Sequence, residues 1–78
     1  MPDVQPNVSD ATEANFQTYV LDASFDQPVL VDLWAAWCGP CKTLGPMLEK
    51  IVGEHHGAVR LAKIDCDTEQ ALAASFGV

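Results

Sequence analysis

The sequence predicts a single α/β domain in which parallel β-strands alternate with α-helices. Short strand-like segments, the first of them weak and near Val8, alternate with segments whose apolar residues recur at helical spacing. The most apolar strand-like segment, residues 28–35 (PVLVDLWA), has the composition of a strand buried on both faces of a parallel sheet. We therefore expect the order strand, helix, strand, helix, strand, helix, with right-handed crossovers.

The composition is that of a small globular protein and argues against several classes of function. The chain has 78 residues, of which 49% are hydrophobic. A folded chain of this size buries only roughly 60% of its unfolded surface, so we expect marginal stability. Eleven carboxylates against four basic side chains give a net charge of −7. An acidic chain without a basic stripe argues against binding to nucleic acid and to anionic membrane surfaces.

The N-terminal residues show no targeting signal. Residues 1–16 lack both the basic and the apolar stretch of a secretory signal. No apolar run approaches the roughly 20 residues that a membrane span requires. We therefore expect a cytoplasmic protein, and in that compartment thiols are kept reduced and lasting structural disulfides are rare.

The first helix is predicted over residues 12–23. Asp10 and Glu13 have the spacing of a capping box, with Asp in the cap position. Apolar side chains then follow at helical spacing: Phe16, Tyr19 and Val20. Residues 26–28 (DQP) interrupt this pattern before the apolar strand begins.

The second helix is predicted to begin at Pro40 and to end near residues 55–57. Its apolar residues fit the pattern of one helix face completely. They are Leu44, Met47, Leu48, Ile51 and Val52. We expect this stripe to belong to the core. Pro46 removes one backbone donor inside the helix and so predicts a kink.

A third strand and a last helix complete the pattern. Residues 59–65 (VRLAKID) read as the strand, and Asp67 or Thr68 can cap the helix. The sequence then reaches residues 76–78 (FGV), where a glycine after a helix would lead into a further strand. The expectation is therefore one incomplete domain over residues 1–78.

The two cysteines of WAAWCGPCK carry the strongest functional signal. Cys38 stands at the predicted junction of strand and helix, where unpaired N–H groups and the positive end of the helix dipole stabilise a thiolate. Pro40 is tolerated in the first helical turn, because its missing N–H would have no partner there. Cys41, one turn further on, is close enough to form a short disulfide. The residues therefore predict that Cys38 attacks and Cys41 resolves.

The residues around the pair predict a surface for substrate. Trp34 and Trp37 would supply a flat apolar surface suited to docking a peptide, with Trp37 exposed and Trp34 packed. Gly39 is expected to allow the tight turn. Trp37, Gly39 and Pro40 are thus the predicted substrate-binding residues.

Asp32 is the anomaly of the apolar strand, and two interpretations of it remain open. Burial of a lone carboxylate is costly and raises its pKa. In one interpretation Asp32 is a hydrogen-bonded structural residue, paired with Lys63 across adjacent strands. In the other it is a buried proton acceptor beneath the thiols that helps to deprotonate Cys41.

A zinc site must also be weighed, because Cys38 and Cys41 are followed by His55 at nearly the count of a zinc finger. However, His56 is adjacent to His55 instead of three to five residues further on. The intervening helix would also carry the histidines roughly 20 Å away from Cys41. We therefore expect no metal, and the two histidines suit the negative end of the helix dipole.

Three stretches, VLVDLWAAWCGPCK, LAKIDCD and FGV, together resemble the thioredoxin family. The likeness covers residues 8–78, and WCGPCK is highly specific where a bare Cys-x-x-Cys would not be. The resemblance implies that Cys38 is the nucleophile, Cys41 the resolving thiol, Asp32 the buried proton carrier and Lys63 its partner. It implies a protein-disulfide reductase that acts through a mixed disulfide and binds no cofactor. Its electrons would come from a flavin- and NADPH-dependent thioredoxin reductase.

The chain departs from the family pattern after its last residues. The family continues with a cis-proline loop facing the cysteines, two antiparallel strands and a final helix. The expectation is therefore only the N-terminal βαβαβα portion, a three-stranded parallel sheet flanked by helices. The strand that is central in the family would then be an exposed edge.

The third cysteine supports an alternative function. The stretch around Cys66, DCDTEQALAASFG, is similar to a bacterial branch in which a thioredoxin domain precedes a tail of helical repeats. That similarity implies a co-chaperone that holds unfolded clients and cooperates with chaperonins. Cys66 is then either an inert small residue or an extra redox thiol that forms mixed disulfides with clients.

Overall fold

Three parallel strands form a sheet that helices flank on both faces in the computed structural model, which describes residues 7–77. The elements in chain order are β1 (Val8–Asp10), a π-helix (Gln17–Asp22), a 3₁₀-helix (Ala23–Phe25), β2 (Val29–Trp34), α1 (Gly39–Glu54), β3 (Arg60–Asp65) and α2 (Gln70–Ser75). The predicted α/β class and parallel three-stranded sheet are confirmed. Within the described residues, no helix is long and apolar enough to cross a membrane.

The last strand in sequence lies in the middle of the sheet. The order is β1-β3-β2, with both pairs parallel. Val8 is opposite Leu61 in the first pair, and Asp32 is opposite Lys63 in the second. In the part of the chain that the structure describes, β2 pairs with β3 alone.

The first helical segment differs from the predicted α-helix. It is a π-helix that begins at Gln17, not at Thr12. The predicted capping box is not formed, because the N–H of Glu13 donates to Glu69 Oε1 at 2.8 Å. Instead Thr12 and Asn15 cap each other: the N–H of Thr12 donates to Asn15 Oδ1, and the N–H of Asn15 donates to Thr12 Oγ1. These bonds hold the chain in a turn, so the helix begins later in the sequence than predicted.

The main core lies between one face of the sheet and the elements that cover it. Its buried members are Ala11, Val20, Ala62, Ile64 and Leu72, against which Phe16, Val29, Val31 and Leu33 pack. The odd-numbered residues of β2 thus face this core. The predicted burial of both faces of β2 is wrong at Leu30, which is exposed on the opposite face.

Helix α1 covers the second face, but its apolar stripe is not the core that the sequence predicts. Val52 is fully buried, whereas Leu44, Met47 and Ile51 are exposed. The small Gly45 is buried, and a Cβ there would lie 3.9 Å from Asp32 Oδ2. The helix therefore meets the sheet along a line through Gly45 and Val52, and part of the stripe faces away.

The ends of the helices follow local chemistry. Helix α1 continues as one helix through Pro46 and ends at Glu54, close to the predicted end. His56 and Gly57 then reverse the chain with positive φ angles of 48° and 93°. Helix α2 begins later than predicted, because the carboxylate of Asp65 accepts hydrogen bonds from the N–H groups of Asp67 and Thr68 and holds them in a turn.

Candidate active site

Cys38 is the N-cap residue of α1 and is disulfide-bonded to Cys41. Its backbone is extended, with φ −86° and ψ 105°, and the N–H of Cys41 donates to Cys38 Sγ at 3.3 Å. A sulfur atom thus takes the place of the side-chain oxygen that usually caps a helix. The predicted position of Cys38 at the strand–helix junction is confirmed, and so is the nearness of Cys41, with Cα atoms 5.3 Å apart.

The first helical turn leaves this disulfide open to solvent on one side. Gly39 and Pro40 are both exposed. A Cβ at Gly39 would meet no atom within 4 Å, and its φ is not in the left-handed region. The expectation that the turn needs glycine at position 39 is therefore wrong. What Gly39 does provide is bare backbone beside Cys38.

The two tryptophans occupy the positions predicted for them. Trp37 is 76% exposed, and its Nε1 donates to Asp67 Oδ1 at 3.1 Å. Trp34 is half-buried, and its Nε1 is buried without a hydrogen-bond partner among the described residues. Sequence reasoning did not identify Asp67 as a partner of Trp37, since 30 residues separate them.

A small apolar pocket beside the disulfide contains the third cysteine. Its volume is about 160 Å³, and its lining is Leu33, Trp34, Ala35, Trp37, Cys38, Cys41 and Cys66. Cys66 carries a free thiol and is half-buried. Its N–H donates to the carbonyl oxygen of Trp34 at 2.9 Å, which fixes the start of the β3–α2 loop beside the end of β2. The structure thus brings all three cysteines to one pocket.

Asp32 lies on the other side of Cys41, buried with 6% of its surface exposed. Its Oδ2 has no hydrogen-bond partner within the described part of the chain. Burial raises the pKa of the Asp32 carboxyl; the Lys63 ammonium opposes this effect and the Glu49 carboxylate adds to it.

Lys63 binds a different carboxylate from the predicted one. It is opposite Asp32 in the register of the sheet, but its Nζ makes a salt bridge to Glu49 Oε2 at 2.8 Å. The same ammonium lies 5.8 Å from the centre of the Trp34 ring. The predicted direct pair of Asp32 and Lys63 is therefore corrected: Lys63 acts on Asp32 through its charge, and its salt bridge is to Glu49. The sequence signal for Glu49 is its position, eight residues after Cys41 and on the same helix face.

An open cavity of about 480 Å³ joins these groups to Cys41. Its lining includes Cys41, Gly45 and Glu49 from α1, Asp32 from β2 and Lys63 from β3. Cys38, by contrast, lines only the smaller apolar pocket of the two. The site therefore has two sides, an apolar one with Cys38 and a charged one that Cys41 shares with Asp32.

The candidate zinc ligands do not come together. Cys41 is in the first turn of α1, whereas His55 and His56 follow its last residue, Glu54. Within residues 7–77, no group of three or more His, Cys, Asp or Glu side chains is arranged to hold a metal ion.

Comparison with known proteins places the chain in one family over most of its length. The family model described as Thioredoxin matches residues 7–78. The chain is 49% identical over 67 residues to a thioredoxin of Mycobacterium bovis, an alignment that covers 86% of this chain and 56% of that protein. It is 44% identical over 69 residues to a thioredoxin of Chlorobaculum thiosulfatiphilum, with 88% and 62% covered.

A third relative is named for two functions, of which thioredoxin is one. It is a protein of Mycobacterium leprae named bifunctional thioredoxin reductase/thioredoxin, 44% identical over 78 residues that cover 91% of this chain and 17% of that protein. The chain spans less than two thirds of the length of each of these curated relatives. The family model, these identities and the paired cysteines at the start of α1 confirm the resemblance seen in WCGPCK: the chain belongs to the thioredoxin family.

Proposed function

We propose that this chain reduces protein disulfides through the Cys38–Cys41 pair. The observation that carries the proposal is the disulfide at the N-terminus of α1, in which the Cys41 N–H donates to Cys38 Sγ. In the reduced protein the same N–H and the positive helix end would stabilise a Cys38 thiolate, which is the nucleophilic form of the thiol.

The proposed reaction moves two electrons from the dithiol to the substrate. The Cys38 thiolate attacks one sulfur of a substrate disulfide, the other substrate sulfur leaves as a thiolate, and a mixed disulfide forms. Cys41 then loses its proton and attacks Cys38 Sγ. The substrate sulfur that was bonded to Cys38 leaves as a thiolate, and the Cys38–Cys41 disulfide is formed. Solvent protonates the released thiolates.

Asp32 is the proposed acceptor of the Cys41 proton. It is buried, it lines the same cavity as Cys41, and its Oδ2 has no competing hydrogen-bond donor in the described chain. Burial raises its pKa and so makes it a stronger base than an exposed carboxylate. Lys63 is the cation that limits this rise.

Substrate and reductant follow from the exposed side of the site. Trp37, Gly39 and Pro40 are exposed around Cys38, and we propose that they contact the substrate peptide. We further propose that an NADPH-dependent thioredoxin reductase returns the pair to the dithiol, as the name of the M. leprae relative suggests. A cytoplasmic location, where thiols are kept reduced, suits this cycle.

The test is the reduction of insulin by dithiothreitol with the purified chain as catalyst. We expect Cys38→Ser to abolish catalysis and Cys41→Ser to accumulate mixed disulfides, which are visible by mass spectrometry. Cys66→Ser separates the pair from the third thiol and is expected to keep most of the rate. A Cys38→Ser protein as fast as the wild type would refute the proposal.

A second candidate function is the holding of unfolded client proteins, as in the co-chaperone branch. Two observations favour it: Leu44, Met47 and Ile51 expose apolar surface on α1, and Cys66 is a free thiol. A double variant, Cys38→Ser with Cys41→Ser, should then still suppress aggregation of a heated client such as citrate synthase, followed by light scattering. Loss of that suppression on removing the redox pair would favour the reductase alone.

A further inference from the structure

One face of α1 places three residues along the charged cavity at intervals of four. Cys41, Gly45 and Glu49 are successive positions on that face. Gly45 faces Asp32, since a Cβ there would lie 3.9 Å from Asp32 Oδ2. Cys41 and Glu49 therefore lie on either side of the place where the helix passes Asp32, and all four residues line the same cavity.

Lys63 is bonded to only one of two neighbouring carboxylates in the described part of the chain. In the sheet it is directly opposite Asp32, and cross-strand neighbours have Cβ atoms roughly 5 Å apart. Its Nζ nevertheless binds Glu49 Oε2 at 2.8 Å, while Asp32 Oδ2 has no hydrogen bond within residues 7–77. Both partners of this salt bridge are only 23% exposed. The cation is thus bonded to the carboxylate that α1 supplies and makes no salt bridge to Asp32 among the described residues.

We propose that Glu49 is a positioning residue of the redox site: by binding the Lys63 ammonium it keeps that cation from pairing with Asp32, and so leaves Asp32 free to take a proton from Cys41. The inference rests on the proposed function, because it assigns Asp32 the role of proton acceptor. A carboxylate in a close ion pair is a weak base, since the cation stabilises its charged form. Glu49 therefore sets the basicity of a group that it does not touch.

Among the described residues, the other charged groups around Asp32 do not bind Lys63 in place of Glu49. From α1 the cavity is also lined by Lys42, which is exposed. Lys63 borders a second cavity together with Asp10, Asp65 and Glu69, and none of these acids forms a salt bridge to it among the described residues. Glu49 is thus the only carboxylate in this surrounding set that is bonded to the cation.

The competing interpretation is that the Glu49–Lys63 pair only stabilises the fold. Partly exposed ion pairs contribute about 0–1 kcal/mol, so that interpretation predicts a small change in stability and only the shift of the Asp32 titration that the lost Glu49 charge itself causes. Our inference predicts an additional shift that depends on Lys63. Removal of Glu49 takes away a neighbouring negative charge and frees Lys63, and both changes favour the Asp32 carboxylate.

The experiment is a ¹³C NMR titration of the Asp32 carboxyl carbon in the oxidised protein, where Cys38 and Cys41 have no thiol protons to lose. We expect Glu49→Gln to move the Asp32 midpoint to lower pH. Glu54→Gln is the matched control, because it removes the same charge from the exposed end of the same helix and should leave the midpoint in place. An unchanged midpoint in Glu49→Gln, or an equal shift in both variants, overturns the inference.

Two further variants separate the positioning of Lys63 from the charge of Glu49 itself. Glu49→Asp keeps the charge but shortens the side chain, so it should also lower the Asp32 midpoint if release of Lys63 matters. The same variant can replace Glu49→Gln if that protein fails to fold. In a Lys63→Met background, Glu49→Gln should shift the midpoint less than in the wild type. A shift of the same size in both backgrounds overturns the claim that Glu49 acts through Lys63.

The outcome is distinguishable from the fate of the proposed function. The titration requires no substrate and no catalysis, whereas insulin reduction by the Cys38→Ser variant decides whether the pair is catalytic. If the proposed function and the role of Glu49 both hold, Glu49→Gln should slow the decay of the mixed disulfide several-fold. Formation of the mixed disulfide should be unchanged, since only the Cys41 step uses Asp32. An equal loss in both steps would overturn this assignment of Glu49.

Discussion

The indole of Trp37 donates a hydrogen bond to the carboxylate of Asp67, although most of the Trp37 ring is exposed to solvent. The bond ties the loop before α1 to the loop after β3. An exposed tryptophan that is fixed in this way offers substrate a rigid apolar surface, because few rotamers remain to be lost on binding.

We expect Asp67→Ala to weaken substrate binding more than catalysis. A hydrogen bond to a charged group contributes about 1.5 kcal/mol, so kcat/KM for insulin should fall by up to about tenfold, mainly through KM. The Trp37 Nε1–H signal in ¹H–¹⁵N NMR should shift as the bond is lost. Asp26→Ala, which removes another exposed carboxylate, is the control. A fall in kcat at constant KM would contradict this role.

Replacement of Asp32 by Asn should stabilise the protein at neutral and alkaline pH. Because burial raises the pKa of Asp32, the folded state favours the neutral carboxyl. The wild-type protein therefore loses stability as the pH rises through this pKa, and the variant does not. Each pKa unit corresponds to about 1.4 kcal/mol. Urea unfolding should show the gain above this pKa and little of it below the ordinary value of 3.8. An equal gain at both pH values would count against this explanation.

Two isoleucines test where the core lies. Ile64 is fully buried on β3, whereas Ile51 on α1 is 43% exposed. We expect Ile64→Val to lower the free energy of unfolding by about 0.5–1.5 kcal/mol and Ile64→Ala by about 2–5 kcal/mol. Ile51→Val should change it by less than about 0.5 kcal/mol. Urea unfolding of the oxidised proteins checks this, and similar losses at both positions would show that the apolar stripe of α1 is part of the core after all.

Two glycines should respond to alanine in opposite directions. Gly57 has a φ of +93°, a conformation that costs an L-residue about 1–2 kcal/mol, so Gly57→Ala should destabilise the fold. Gly53 lies within α1 with no atom within 4 Å of an added Cβ, so Gly53→Ala should stabilise by about 0.5–1 kcal/mol. Thermal unfolding followed by circular dichroism measures both. A stabilised Gly57→Ala protein would be inconsistent with the turn described after α1.

The parts of this molecule that the sequence predicts are those determined by neighbouring residues. The apolar run of β2 and the position of Cys38 before a helix are local patterns, and both are confirmed. The π-helix at Gln17 was missed because Thr12 and Asn15 bond to each other, an alternative that helical periodicity does not register.

The residues that the sequence does not predict are those whose partners lie across the fold. The positions of Lys63 and Asp32 in two adjacent strands predict that they are opposite each other. The salt bridge from Lys63 to Glu49 depends instead on how closely α1 approaches the sheet, which the sequence does not show. The way α1 packs on the sheet also determines which apolar residues of the helix are covered: Val52 is buried, whereas Leu44 and Ile51 are exposed. Helical periodicity shows which residues share the apolar face of a helix, but it does not show which of those residues are buried.

The order β1-β3-β2 has a consequence for the synthesis of the chain. Among the described strands, neither β1 nor β2 has a partner until β3 has been made, because both bond to β3 and not to each other. A nascent chain that has been synthesised only as far as α1 therefore contains the cysteine pair but no sheet beneath it. Parallel pairing across this distance in sequence is slow compared with local helix formation. Both thiols are thus present in the nascent chain before Lys63 has joined Asp32 beside Cys41.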